Sequence, residues 1–142
     1  MSVITNLVAY WSLEESSGTR NDAHGANHLT DNNTVTSLTG KVGTAADFED
    51  TNSEDLSIAD NTALSVGDID FSIVAWVNGE SLGAGAHAVA KKGEDGGFAY
   101  ELFWAAGAPF TFKAWTGLGF AGATEVQSTS GATSTGVWYF IA

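Results

Sequence analysis

"FSIVAWV", Phe71–Val77, decides how this chain folds. Alternation places Phe71, Ile73, Ala75 and Val77 on one face of an extended segment and Val74 and Trp76 on the other. Both faces are apolar, which reads as a strand covered on both sides, in the middle of a sheet. The spacing is two, not the 3.6 of a helix.

The same period recurs on either side of it. Leu7, Ala9, Trp11 and Leu13 share a face near the start, and Leu56 and Ile58 mark a short strand. Ala88 and Ala90 flank Val89 in another. Phe98-Tyr100-Leu102-Trp104, Phe110-Phe112-Ala114, a weak Thr124-Val126-Ser128 and Val137-Tyr139-Ile141 follow. Polar, glycine-bearing stretches such as "EESSGTRNDAHGAN" and "KKGEDGG" separate them. The one helix candidate is a single turn near "DNTALSV", residues 60–66. Short strands with frequent turns predict an all-β chain, a two-sheet antiparallel β-sandwich or jelly roll, forming one domain over residues 1–142.

The chain has 142 residues and no cysteine, so neither disulfides nor thiolate metal sites are available. Its net charge is −12, from 17 acidic and five basic residues. Nucleic acid and anionic membranes are repelled by such a surface, whereas solubility, cations or a basic partner suit it. Most of the acids precede Phe71. Half of the aromatics fall between Phe98 and Phe120. The N-terminus lacks the basic and long apolar segments of a signal peptide, and no run approaches the roughly 20 residues of a membrane span. An extracellular role would therefore follow from lysis, a virion or a larger chain.

Four stretches together resemble the laminin-G-like, concanavalin A-like jelly-roll family. They are "LVAYWSLEESSGT"; "DAHGAN", Asp22–Asn27; "GKVGTAADF", Gly40–Phe48; and "FSIVAWV". "GVWYFIA", Gly136–Ala142, is similar to the family's Gly-x-Trp-Tyr-His-Val-Ala strand, with Phe140 in place of the histidine. In the family more strands follow. The resemblance thus implies a concanavalin A-like sandwich whose C-terminal strands are missing here. The expectation is that a longer product or a neighbouring chain covers the edge carrying Val137, Tyr139 and Ile141.

Catalysis finds little support in the residues. Glycoside hydrolysis needs two carboxylates about 5–9 Å apart. Asp68 and Asp70 alternate, but Ile73 stands where a third acid would be. His24, His28 and His87 accompany no nucleophile signature. Calcium needs six to eight hard oxygens, and two loops are rich in them. Asp22 and Asn27 represent the first, Asp47 and Glu49 the second. The resemblance implies that some relatives hold calcium in rim loops, so Ca2+ is the one cofactor considered. His24 and His28 would need a helix to share a zinc ion, and Gly25 opposes it. "NNT", Asn32–Thr34, matches a glycosylation sequon.

Sugars stack their C–H faces on exposed rings beside a few polar groups. Trp115, beside Lys113, is the better exposed candidate, and Trp104 the second, although its alternating neighbours read as core. The resulting expectation is a non-catalytic binding or adhesion module at a particle or cell surface, taking a glycan or another structural protein. A phage decoration, tail or fibre protein, assembled as an oligomer, fits that description. The alternatives are a purely structural capsid or tail protein, and a fragment of a polysaccharide hydrolase.

Overall fold

The computed structural model describes residues 5–65, 69–81, 86–94, 97–105, 109–115, 122–129 and 133–142. The protein is all-β, with antiparallel strands throughout the described residues. Their helical pieces are two single 3-10 turns, Asp50–Asn52 and Thr62–Leu64. The second lies at the expected helical turn, where the Asn61 side chain caps it by accepting from Ala63 N at 2.9 Å. Among the described residues no helix is long and apolar enough to cross a membrane. The chain divides into two compact units, Met1–Ser72 and Ile73–Ala142.

In the first unit β1 (Thr30–Asn32) pairs with β4 (Asp55–Ser57), and β2 (Thr36–Thr39) pairs with β3 (Thr44–Asp47). The β2–β3 turn depends on its glycines. Gly43 has φ +62°, and a Cβ on Gly40 would lie 2.7 Å from the Thr44 carbonyl oxygen. Residues 7–15 alternate between half-buried and exposed, so the expected face of Leu7, Ala9, Trp11 and Leu13 is present. They are not assigned to a strand, however. Trp11 meets Asp22 in an isolated bridge, and Leu13 at φ +58° breaks the extended path.

The interior of this unit is largely polar. Val35 and Arg20 are both 0% exposed, and Asp22 and Asn27 are buried beside them. Arg20 and Asp31 clamp the same two residues from opposite sides. The guanidinium donates to the carbonyls of Gly18 and Val35, while the Asp31 carboxylate accepts from their N–H groups, each at 2.8 Å. The two side chains also form an ion pair at 3.9 Å.

In the second unit β5 (Ala75–Asn78) pairs with β10 (Trp138–Ile141). β6 (Ala86–Glu94), β7 (Gly97–Ala105), β8 (Thr111–Trp115) and β9 (Ala123–Gln127) form a four-stranded sheet in that order. The two-sided burial expected for Phe71–Val77 is corrected here. Ile73, Ala75 and Val77 are half-buried, but Val74 is 60% exposed and Trp76 47%. Trp76 faces Phe140, its cross-strand partner, which is 58% exposed. Apolar character on both faces therefore does not mean cover on both faces.

One face of the four-stranded sheet carries a row of alternating charge, Lys91–Glu101–Lys113–Glu125, set by the register. Opposite charges on neighbouring strands support that register. The other face carries Tyr100, Leu102 and Phe112, with Leu102 buried.

Candidate functional site

The last row of this sheet is built by a bulge. The ladder between β6 and β7 slips between Ala88 and Ala90, leaving Val89 as the extra residue. Ala88 then pairs with Phe103 and Ala90 with Leu102. The two alanines expected on one face consequently lie on opposite faces. The same slip brings His87 opposite Trp104, on the Leu102 side of the sheet.

Aromatic contacts continue the row. His87 and Trp104 have ring centroids 5.8 Å apart, Trp104 and Phe110 5.4 Å edge to face, and Phe110 and Tyr139 5.6 Å. Ser128 closes it, donating its backbone N–H to the Phe110 carbonyl. The Tyr139 hydroxyl accepts from Ser134 N, next to Thr133. Among the described residues, four side-chain atoms on these rings or on the residues linked to them are closed off from solvent and lack a hydrogen-bond partner: His87 Nε2, Trp104 Nε1, Ser128 Oγ and Thr133 Oγ1. Thr133 is only 9% exposed. Buried polar atoms are normally paired, and an unmade bond costs on the order of 1–3 kcal/mol. This cluster is therefore a place where a bound group could gain what the protein itself leaves unmet.

The sequence-based ligand residues separate in the structure. Trp104 is half-buried in that row. Lys113 is committed elsewhere, with Nζ 3.2 Å from Glu125 and 4.9 Å over the Phe103 ring. The Trp115 backbone pairs with Ala123, and its side chain lies outside the described residues. Sequence reading missed Ser128 and Thr133, which sit in plain polar loops. It also set His87 aside for want of a nucleophile signature, and the bulge that brings it opposite Trp104 leaves no mark in the alternation.

The two loops considered for calcium keep their pairs together but differ in what those pairs do. Burial pushes the Asp22 carboxyl up, but backbone N–H groups of Tyr10, His24, Asn27 and Gly25 outweigh that and hold it well below the usual carboxylate range. Oδ1 accepts from Tyr10 N and His24 N, both at 2.9 Å. Oδ2 accepts from Asn27 N and Nδ2, both at 3.1 Å. A carboxylate offers about four lone-pair sites, and these four are filled by donors. Asn27 is similarly engaged, its backbone oxygen by Trp11 Nε1 and its Oδ1 by Asn61 Nδ2. This pair does not fit a cation and instead ties the loop together. Asp47 and Glu49 bring carboxylate oxygens within 4.8 Å of each other.

Comparison of the chain with protein-family models, with curated proteins and with solved structures returned no match.

Proposed function

We propose that the protein is a non-catalytic binding module that takes a carbohydrate against the His87–Trp104–Phe110 row of its second unit. The supporting observation is the set of buried polar atoms on and next to those rings that lack a hydrogen-bond partner among the described residues. Rings present flat apolar surface to sugar C–H groups, and hydroxyls supply both donors and acceptors. The four atoms are closed off from solvent, so a ligand must displace the groups that cover them. A laminin-G-like sandwich on the surface of a larger particle is the setting we propose for it.

The paired variant Ser128→Ala, Thr133→Val tests this reading. Removing two unmet polar groups is expected to leave the fold as stable or more so. Binding of an oligosaccharide identified on a glycan array is expected to fall about tenfold, roughly the 1.4 kcal/mol of one hydrogen bond. Unchanged calorimetric affinity in a folded variant would reject the site.

A second reading, a structural assembly protein, rests on the exposed strip Val74, Trp76 and Phe140. Exposed apolar strips of this kind mark contact surfaces. Its mark would be a concentration-dependent change at Trp76.

A further inference from the structure

We infer that the ligand of the His87–Trp104 row is a neutral sugar, and that carboxylated, sialylated and sulfated glycans are refused. This inference rests on the proposed function and narrows it.

The chemistry of the row decides the charge of what it can hold. Its unmet atoms belong to an imidazole, an indole and two hydroxyls. The indole nitrogen only donates, the hydroxyls both donate and accept, and Nε2 does one or the other. A ligand that satisfies all four must offer donors and acceptors side by side, which neutral hydroxyl groups do. An acidic group offers acceptors alone, so it leaves the accepting lone pairs of the two hydroxyls unmet.

Within the second unit, two of the three lysines stand on the opposite face of the sheet. Lys113 is ion-paired to Glu125 in the charge row on the opposite face of the sheet. Lys91 stands in that same row. Lys92 is on the row's own face, opposite Tyr100, two rows from Trp104 along β7. A net charge of −12 adds long-range repulsion of any anionic ligand.

The test uses the full chain on an array that presents neutral oligosaccharides beside their uronate, sialyl and sulfate counterparts, at low and high salt. Binding confined to neutral members, unchanged by salt and reduced about tenfold in Ser128→Ala, Thr133→Val, is the expected result. Acidic members bound as well as their neutral counterparts would overturn the inference while leaving the carbohydrate reading in place. Binding of no member at all would overturn the carbohydrate reading itself.

Discussion

Replacing Arg20 by alanine is expected to destabilise the first unit by about 2–4 kcal/mol, because a fully buried side chain that serves two carbonyls is removed. Arg20 is fully buried and joins two carbonyls that have no helix or ladder to serve them. Without it, the carbonyls of Gly18 and Val35 lose their donors, and Asp31 loses its cation. The buried Val35 carbonyl left unmet costs on the order of 1–3 kcal/mol, and a cavity forms against Val35. Lysine keeps the charge but cannot fork to two carbonyls, so Arg20→Lys is expected to recover little. Chemical denaturation followed at the Trp11 indole resonance reads the effect. A loss below about 1 kcal/mol, typical of exposed pairs, would show that the clamp does not hold the unit.

Asp22→Asn is expected to cost about 2–4 kcal/mol although the side chain keeps its shape, since two or more buried donors lose acceptors. The amide would direct its own N–H groups at backbone N–H groups that now donate to Oδ1 or Oδ2. The same contacts predict a pH dependence. The folded carboxyl lies below its ordinary value of about 3.9. A depressed acid contributes stability that is complete above the unfolded value and is lost as pH falls below about 4. Asp31, held low first by the Val35 N–H and then by Gly18 and Arg20, acts in the same direction. Glu15 does too: burial raises it, but hydrogen bonds from Asn21 prevail. The first unit is thus expected to weaken steadily in acid. Asp22→Asn should flatten that slope, and an unchanged slope would mean that Asp22 is not the group titrating.

Much of the sheet structure was legible because alternation is imposed by the pleat. Tyr100, Leu102 and Trp104 could be placed on one face from sequence, as could Ile73, Ala75 and Val77. What could not be read was which faces are covered, since cover is supplied by segments distant in sequence. Trp76 looked central for that reason and is exposed. Arg20 sits in "GTRND", a stretch that reads as a solvated loop, yet it is the most buried charge described in the first unit. Asp22 shows the same limit. Composition gives a carboxylate its charge but not its neighbours, and four N–H donors leave no room for a cation. Part of the His87–Trp104 row was hidden differently, because the extra residue Val89 inverts the parity on which the reading of β6 depended.

The most direct test is a 1H–15N spectrum of the five tryptophan indoles during titration with a neutral oligosaccharide taken from the array. Trp11 serves as an internal control, because its indole already donates to the Asn27 carbonyl at 2.7 Å. The account predicts that the Trp104 Nε1–H resonance moves as its hydrogen bond forms, while that of Trp11 stays in place. A saturable titration in which Trp104 does not move, or in which Trp76 moves in its stead, would contradict it.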